Sequence, residues 1–233
     1  MPTPDELSGL VGSPGVHKDP EVLVVPLPRL SRVLEAHIAS RRKADLTFLP
    51  EAMREGIEDI ARFCGRLDGL ICQGAWVGPG GLRLVTHIPD PVAPVRIGLH
   101  IDNWDKIPLI ERSRARRRLC INLGLNPRYL VFLPTPVSTL VAARKLSGEL
   151  PPNMSAPDAV RAYLSRNLNH PAVRVRIDPG EAYVVNADDV IHDGASDSPD
   201  VPDAALHFLG HFERPNEVAN RAGDEARGTI SGR

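Results

Sequence analysis

The feature that most constrains this chain is a series of short apolar or β-branched runs that begins near residue 69. Turn-forming residues separate the runs, and the 23 prolines and 19 glycines of the chain supply many such turns. Many short strands at roughly even spacing predict a β-sandwich or β-barrel. The predicted strands are 69–72, 82–87, 95–101, 118–123, 129–133, 173–177, 182–185 and 205–209.

Helical patterns precede and interrupt this series. After a predicted first strand at 21–26, apolar residues recur at helical spacing over Leu30–Arg42 and again over Pro50–Leu67. We expect these two helices to pack against the outside of a sheet. An insert at about 135–170 contains a third helical pattern, Pro157–Asn167. The predicted fold class is therefore mainly β with flanking helices (α+β).

Length and composition indicate one domain. The 233 residues suffice for a single domain with a full core, which we expect at 19–212. Residues 1–18 are rich in Pro, Gly and Ser and are expected to be loosely ordered, and the polar residues 213–233 are expected to form a flexible tail. The hydrophobic fraction of 42% and the charged fraction of 24% are typical of a soluble globular protein.

Charge and cysteine content argue against several classes of protein. The formal net charge of −1 gives no global electrostatic reason to bind nucleic acid or an anionic membrane. No apolar stretch approaches membrane-spanning length, and the N-terminus lacks the basic and apolar regions of a secretory signal. The 3 cysteines are scattered and form no CxxC pair or disulfide framework, so we expect a cytoplasmic protein. The sequence leaves a homodimer open.

Two segments contain residues that can bind a metal. His100 and Asp102 lie two residues apart in Gly98–Asn103, and His192 follows a second strand-like run in Val190–Gly194. Side chains at positions i and i+2 of a strand share a face, so His100 and Asp102 are predicted to point together into the space that the sheet encloses. Two histidines and one carboxylate can hold ferrous iron and leave the opposite face open, and such mixed ligation favours non-haem Fe(II) over structural zinc.

The same residues have simpler interpretations. A single histidine in a strand is more often structural than metal-bound, and an HxD tripeptide often arises by chance. The Pro-Gly turn and the strand that precede His192 favour the metal interpretation. Gly194 is expected to let the backbone turn beside the metal, and Asp188 and Asp189 are expected to cap a turn. Asp193 either orients His192 or faces solvent in a turn.

The stretch from Gly98 to Gly194 resembles the Fe(II)/2-oxoglutarate-dependent oxygenase superfamily, whose signature is HxD…H. The resemblance implies a double-stranded β-helix core (jelly roll, cupin-like) with N-terminal supporting helices. It also implies Fe(II) bound by His100, Asp102 and His192, with 2-oxoglutarate as co-substrate and O₂ as oxidant. The implied reaction hydroxylates an unactivated C–H bond and releases succinate and CO₂. The residues identify no particular subfamily.

The chain departs from this family where the distal carboxylate of 2-oxoglutarate is held. Members commonly use an arginine on the strand after the second histidine, but residues 193–212 contain none. A protonated His207 on that strand is one candidate, although it would bind more weakly than a bidentate arginine. Arg118 and Arg128, at the starts of earlier strands, are two more candidates, and Asn122 is predicted to share the face of Arg118.

The substrate is constrained by chain size and by the residues after the HxD tripeptide. Asn103 and Trp104 are expected to line the substrate mouth, and the simpler interpretation is an ordinary turn with one packed indole. The compact chain favours a small molecule, such as an amino acid or a natural-product intermediate. Two rival functions are a cupin-like iron enzyme that does not use 2-oxoglutarate and a non-catalytic metal-binding jelly-roll module.

The basic cluster at 112–118 is either a ligand clamp or a solvated loop or strand edge.

Overall fold

A computed structural model describes residues 22–39, 46–64, 69–88, 95–143 and 155–212. The predictions for 1–18, for 213–233 and for the C-terminal ends of the two early helices lie outside these residues. The elements within them, in chain order, are β1 Leu23–Pro26, α1 Pro28–Ala39, α2 Leu49–Cys64, β2 Ile71–Gly78, β3 His87–Ile88, β4 Val95–Arg96, a 3₁₀ helix Leu109–Arg114, β5 Arg117–Asn122, β6 Arg128–Phe132, α3 Val137–Ala142, α4 Ala156–Arg166, β7 Val173–Ile177, β8 Glu181–Val185, β9 His192–Ser196 and β10 Asp203–Gly210.

Two antiparallel sheets form the centre of the fold. The larger sheet has the order β1–β8–β5–β10–β2, and the smaller has the order β7–β6–β9. From β5 onward the chain winds between them, because β5, β8 and β10 belong to the larger sheet while β6, β7 and β9 belong to the smaller. This winding is a double-stranded β-helix, so the predicted jelly-roll core is confirmed.

Strand alternation fills the space between the two sheets. Along β6 the buried residues are Arg128, Leu130 and Phe132, whereas Tyr129 and Val131 are only half-buried. This period of two places every second side chain in the interior. The apolar residues that meet there are Cys120, Leu130, Phe132, Ile177, Tyr183, Val185, Ala187, Val190 and Ala205.

Helices α1 and α2 cover the outer face of the larger sheet, as predicted. Leu30 and Leu34 of α1 and Ile60 of α2 are fully buried in one apolar cluster with residues of β5, β8 and β10. The Asp59 carboxylate of α2 accepts hydrogen bonds from the backbone N–H groups of Arg29 and Leu30, at 2.8 and 3.1 Å. Asp59 thereby satisfies N–H groups at the start of α1 that have no partner within that helix.

The insert after β6 holds two helices, where the sequence predicted one. Helix α4 matches the prediction, and its Ser155 accepts a hydrogen bond from the Asp158 backbone N–H at 3.3 Å as a side-chain cap. Helix α3 was missed because it has only six residues and begins after Pro136 without a side-chain cap. Both helices contribute to one apolar cluster, with Val137 and Leu140 from α3 and Val160 from α4 packed together with Leu133 and Ile191.

The segment between β2 and β5 is less regular than predicted. In place of the predicted strands 82–87 and 95–101, the structure has β3 and β4, which are strands of only two residues each. Single backbone hydrogen bonds still hold the first of these segments beside β9, because Val85 N–H donates to Gly194 and Ser196 N–H donates to Leu82, at 3.0 and 2.8 Å. Strand β2 is longer than predicted and β10 extends beyond 205–209 at both ends.

A search of the helices in the described ranges finds none whose length and apolar character would allow it to span a bilayer.

Candidate metal centre

Three predicted ligands converge inside the β-helix. One ligand atom each from His100, Asp102 and His192 lies within 4.8 Å of the other two. The His100 Nε2 to Asp102 Oδ1 distance is 3.8 Å, and the two imidazole rings have centroids 4.9 Å apart. The three residues are brought together from sequence positions far apart, as the HxD…H pattern predicts.

Backbone hydrogen bonds set the positions of the two histidines. His100 N–H donates to the His192 carbonyl at 3.0 Å, and His192 N–H donates to the His100 carbonyl at 2.8 Å. The two residues thus form an isolated antiparallel bridge, in which directly opposed side chains lie on the same face. Asp102 lies just beyond regular strand structure, and its N–H donates to the Ala187 carbonyl at 2.9 Å.

Each imidazole directs one nitrogen away from the protein scaffold. The Nδ1 of His100 lies 2.7 Å from the Gly98 carbonyl, and the Nδ1 of His192 lies 2.9 Å from the Val190 carbonyl. A carbonyl can only accept, so Nδ1 carries a proton in both rings and Nε2 is the ring nitrogen left to face a metal. The Nε2 of His192 is buried and has no hydrogen-bond partner among the described residues. A buried nitrogen lone pair of this kind fits a metal ligand.

The ligand carboxylate is held by an arginine. Arg118 on β5 places Nη2 2.9 Å from Asp102 Oδ2, and both side chains are largely buried. Oδ1 is the oxygen nearer His100. This contact is an ion pair that lacks hydrogen-bond alignment, because Oδ2 has no hydrogen-bond partner among the described residues. It lies on the oxygen away from His100 and so leaves Oδ1 facing that histidine. Arg118 was predicted as a co-substrate residue, and this ion pair is a role that the sequence did not indicate.

Burial keeps His192 neutral. Loss of solvent lowers the pKa of His192 to about 4, with the nearby His100 and Arg118 acting in the same direction and Asp102 opposing them. At neutral pH the ring is therefore a neutral imidazole, which is the form that binds metals. Two imidazoles and one carboxylate on one side of a central point fit the facial set typical of non-haem Fe(II).

Arg128 on β6 is the most unusual residue of the interior. Its side chain is only 4% exposed, and its Nε and Nη1 atoms have no hydrogen-bond partner in the described ranges. Burial alone would lower the pKa of Arg128, but Cys120, Asp203 and other neighbours outweigh it and raise that pKa above its usual value. Arg128 therefore remains a cation inside the protein.

The groups around Arg128 define a second polar end of the interior. Ser196 is the direct partner of Arg128 across the β6–β9 pair, and its hydroxyl oxygen is buried without a partner among the described residues. The Asp203 carboxylate lies 3.8 Å from Arg128 Nη2, which is too far for a hydrogen bond. We name Arg128, Ser196 and Asp203 the distal cluster. It offers an unsatisfied guanidinium and hydroxyl to a buried anion.

Two predicted co-substrate residues have other roles. Burial lowers the pKa of His207 to about 3, helped by Arg118, Arg128 and His192, so the predicted protonated His207 is wrong at neutral pH. Asn122 donates to the Asn126 and Ile177 carbonyls, at 3.0 Å each, and accepts from the Gly124 N–H at 2.9 Å. Its amide holds the turn between β5 and β6, which leaves it no free group for a co-substrate.

Residues next to His192 also differ from the expectations. Asp193 is completely buried, so a solvent-facing carboxylate is wrong, and it accepts from the N–H and hydroxyl of Thr86, at 3.1 and 2.6 Å. Gly194 lies within β9 and makes no turn there. A Cβ at Gly194 would lie 2.8 Å from Val85 and 3.3 Å from Arg128 Nη2, so the glycine makes room for the arginine.

The aspartates before His192 cap backbone N–H groups, as predicted. Asp188 accepts from the N–H groups of Trp104 and Asp105, at 3.3 Å each. Asp189 accepts from the N–H and hydroxyl of Ser138 at the start of α3, at 2.7 and 2.8 Å. Burial raises the pKa of both carboxyl groups.

Both residues that follow the HxD tripeptide reach solvent. Asn103 is exposed and the Trp104 indole is 50% exposed, so the packed-indole alternative is wrong. Sequence reasoning missed Arg112, which is 1% exposed and donates to the Asp102 carbonyl at 2.8 Å. Nothing in the run of arginines from 112 to 118 distinguishes this buried member from its exposed neighbours.

An apolar cavity of about 580 Å³ borders the metal centre. Ile97, Leu99 and Ile101 line it, and the metal ligand His100 also borders it. Leu99 and Ile101 pack with the apolar cluster that includes residues of α3 and α4.

The fold and site together define a double-stranded β-helix with a two-histidine, one-carboxylate centre. No family model matches the chain, and a search of curated proteins finds no relative. Similar solved structures include the Kdo hydroxylase KdoO, "a non-heme Fe(II) alphaketoglutarate dependent dioxygenase", in its apo form, with 14% identity, coverage of 91% of this chain and 76% of that chain, and a TM-score of 0.40.

Two further similar structures are described as containing a metal ion and 2-oxoglutarate (alpha ketoglutarate). HygX from Streptomyces hygroscopicus, with nickel and 2-oxoglutarate bound, is 10% identical over 92% of this chain and 89% of that chain, with a TM-score of 0.39. The epimerase SnoN, in complex with Fe3+, alpha ketoglutarate and nogalamycin RO, is 12% identical over 83% of this chain and 81% of that chain, with a TM-score of 0.39.

Proposed function

We propose that the protein is an Fe(II)- and 2-oxoglutarate-dependent dioxygenase that hydroxylates an unactivated C–H bond of a small molecule. The observation that carries this proposal is the convergence of His100, Asp102 and His192 within 4.8 Å of one another inside a β-helix. A structural zinc site would be closed by four protein ligands, whereas this set supplies three. Positions left open on a metal are what oxygen and a co-substrate require.

The three described ligands would hold the metal from one side, with small side-chain shifts to bring their atoms to bonding distance. Both histidines present Nε2, and Asp102 is fixed by Arg118 at one oxygen. Ferrous iron and 2-oxoglutarate, when bound, supply the oxygen activation and the oxidation of the substrate. The protein supplies the position of the metal, a neutral His192 at working pH and a largely buried interior.

Arg128 is the residue that we assign to the distal carboxylate of 2-oxoglutarate. Its Nη2 approaches Gly194, which lies two residues beyond His192 on β9, or roughly 6.6 Å along the strand. A five-carbon dicarboxylate can bridge a separation of this order between metal and guanidinium. Ser196 adds a hydroxyl donor on the same side, so an arginine on an earlier strand replaces the one that β10 lacks.

Asp203 gives a specific reason to keep a second candidate function. Its carboxylate lies 3.8 Å from the Arg128 guanidinium and would repel an incoming dianion. An iron enzyme that does not use 2-oxoglutarate would need no carboxylate at this position, and Asp203 would then balance Arg128 permanently. The dioxygenase proposal requires 2-oxoglutarate to compete successfully with Asp203 for the guanidinium.

The remaining features support a small, non-polymeric substrate. We propose that Asn103 and Trp104 form part of the substrate mouth, because both are exposed and directly follow the ligand Asp102. The near-neutral charge gives nucleic acid no favourable surface. We propose a cytoplasmic location, because the three scattered cysteines offer no disulfide framework.

Oxygen consumption distinguishes the candidate functions. The anaerobically purified protein is loaded with Fe(II), and oxygen uptake and succinate release are measured with and without 2-oxoglutarate. We expect both only when 2-oxoglutarate is present, and neither in the Asp102→Ala variant. Oxygen uptake without 2-oxoglutarate would favour the cupin-like iron enzyme. Iron binding with no oxygen uptake under any condition would favour a non-catalytic module.

A further inference from the structure

Arg112 is a fully buried guanidinium that is hydrogen-bonded on two nitrogens. It lies in the 3₁₀ helix between the HxD segment and β5, and its side chain is 1% exposed. Arg114, two residues later in the same helix, is 74% exposed and pairs with Glu111. Burying an arginine is unfavourable unless hydrogen bonds replace its water. The hydrogen-bond acceptors of Arg112 therefore indicate why this arginine is buried.

All three hydrogen-bond acceptors of Arg112 belong to chain segments that build the metal centre. Nη1 donates to the backbone carbonyl of Asp102 at 2.8 Å and to that of Asp188 at 3.0 Å. Nη2 donates to the Asn103 side-chain oxygen at 2.5 Å. One guanidinium thus ties the ligand Asp102 to the loop between β8 and β9, which leads into the ligand His192.

The backbone of Arg112 is also held by the β8–β9 loop. The Asn186 side-chain amide donates to the Arg112 backbone carbonyl at 2.8 Å, so the same loop holds the 3₁₀ helix in return. None of these bonds is a direct ion pair with a carboxylate. The planar fork of arginine can reach several oxygens at fixed angles, which a lysine ammonium on a flexible chain cannot reproduce.

Asp102 is consequently held at three points. Its N–H donates to Ala187, its carbonyl accepts from Arg112, and its carboxylate pairs with Arg118. Of these three contacts, the one from Arg112 also joins Asp102 to Asp188 through a single side chain. Without it, only the Ala187 and Arg118 contacts would hold Asp102, and part of the cost of ordering this residue would appear in the metal affinity.

We propose that Arg112 is a positioning residue that sets the metal affinity of the site by fixing Asp102 and Asn103 against the β8–β9 loop. The inference rests on the proposed function only in assuming that the triad binds a divalent metal. It does not depend on the identity of the co-substrate or the substrate. Loss of a group that orients a ligand typically lowers metal affinity by about 10- to 100-fold.

The test compares metal binding by Arg112→Met, Arg112→Lys and the matched control Arg114→Met. Dissociation constants for Co(II) are measured by calorimetry, and the visible absorption of bound Co(II) reports the geometry of its ligands. We expect Arg112→Met to weaken Co(II) binding by about 10- to 100-fold and to alter the Co(II) spectrum. Arg112→Lys should recover part of the loss, and Arg114→Met should bind as the original protein does.

Thermal unfolding of the metal-free proteins separates positioning from stability. The proposal would be overturned by an Arg112→Met protein that is less stable without metal but keeps its Co(II) binding. Its Co(II) dissociation constant would then lie within twofold of that of the original protein, and its Co(II) spectrum would be unchanged. If Arg112→Met does not fold, Asn186→Ala removes the loop contact to the Arg112 carbonyl and is expected to weaken Co(II) binding in the same direction. Unaltered binding by Asn186→Ala and by Arg112→Lys would then overturn it.

The outcome is independent of the dioxygenase proposal. An original protein that binds Co(II) but consumes no oxygen with 2-oxoglutarate contradicts the proposed function and leaves the role of Arg112 intact. Conversely, full 2-oxoglutarate-dependent activity with Co(II) affinity unaffected by Arg112→Met contradicts only the role of Arg112. An original protein without affinity for Co(II) contradicts both.

Discussion

Arg112 and Arg128 are both buried arginines, but their hydrogen bonding is opposite. Arg112 donates to three oxygens of the protein and leaves only Nε without a partner, whereas both Nε and Nη1 of Arg128 have no partner among the described residues. Arg128 has the Asp203 carboxylate only at 3.8 Å, and a buried cation without close hydrogen bonds is unfavourable, so a fold that keeps one must gain something else from it. The difference indicates that Arg112 holds the protein in position and that Arg128 awaits a ligand.

The contrast extends to the two ends of the interior. At the metal end, His100 and His192 have each Nδ1 bonded to a carbonyl, and Asp102 is bound by Arg118. At the distal cluster, the Ser196 hydroxyl and two nitrogens of Arg128 are unsatisfied. One end is preorganised, and the other is completed by what it binds. Substitutions at the two ends should therefore affect different measurements.

The largest effect is expected at the metal end. Asp102→Ala removes one of three ligands, so we expect Fe(II) or Co(II) binding to fall below detection and oxygen uptake to cease. Calorimetric titration of the metal measures this directly. Asp197→Ala is the matched control, because Asp197 also pairs with an arginine, Arg174, but is exposed. Stoichiometric metal binding by Asp102→Ala would contradict the assignment of the triad.

Arg128→Met is expected to separate the two ends. Loss of a buried guanidinium should weaken 2-oxoglutarate binding by about 2 to 5 kcal/mol, or roughly 30-fold to several thousand-fold in Kd. Metal affinity should stay within twofold, because Arg128 contacts no ligand of the metal. Titration of Co(II)-loaded protein with 2-oxoglutarate measures the effect, and exposed Arg174→Met is the control. Equal 2-oxoglutarate affinity in both variants would remove Arg128 from the co-substrate site.

Gly194→Ala tests the space that Arg128 occupies. The new methyl group would lie 2.8 Å from Val85 and 3.3 Å from Arg128 Nη2, so the arginine or strand β9 must shift. We expect a loss of about 1 to 3 kcal/mol in the free energy of unfolding, measured by urea denaturation, together with weaker 2-oxoglutarate binding. Gly56→Ala is the control, because its methyl group would meet Leu30 at an ordinary 3.4 Å in a helix. Equal stability of the two variants would contradict the crowding around Gly194.

The effect that is smallest near neutral pH is a pH dependence from His207. The unfolded chain accepts a proton near the ordinary pKa of 6.5, but the folded chain excludes it until about pH 3. The free energy of unfolding therefore decreases as the pH falls from about 6.5 towards 3, by at most about 1.4 kcal/mol per pH unit from this group. His207→Gln should make the free energy of unfolding less dependent on pH over this range. The exposed His211→Gln variant should keep the pH dependence of the original protein. Parallel pH profiles for the original protein and His207→Gln would show that His207 is not held neutral.

The sequence predicted the features that depend on local pattern. Alternating apolar residues predicted most strands, and the spacing of His100 and Asp102 predicted their common face. A compact α3 was missed because six residues give too few turns for a helical period to show. The strands predicted around residues 82–101 were too long, since apolar content alone does not determine where a ladder of hydrogen bonds ends.

Features that depend on distant partners could not be predicted. Asn122 lies on a suitable face, yet its amide is used by a turn whose geometry involves Ile177 of another strand. His207 lost its predicted charge because burial and two arginines, which the fold brings near it, lower its pKa. Arg112 is indistinguishable from its exposed neighbours until the loop that it binds, at Asp188, is in place.

The paired backbone hydrogen bonds between His100 and His192 have a consequence for folding. These residues are direct antiparallel partners, although the chain from 101 to 191 lies between them. Contacts between such distant positions form late and slowly, because a long loop must close first. The metal-binding face therefore forms only after the chain has returned to place β9 beside residue 100. Metal binding consequently reports that this long-range pairing is complete, and bound metal should slow hydrogen exchange of the His100 and His192 amides.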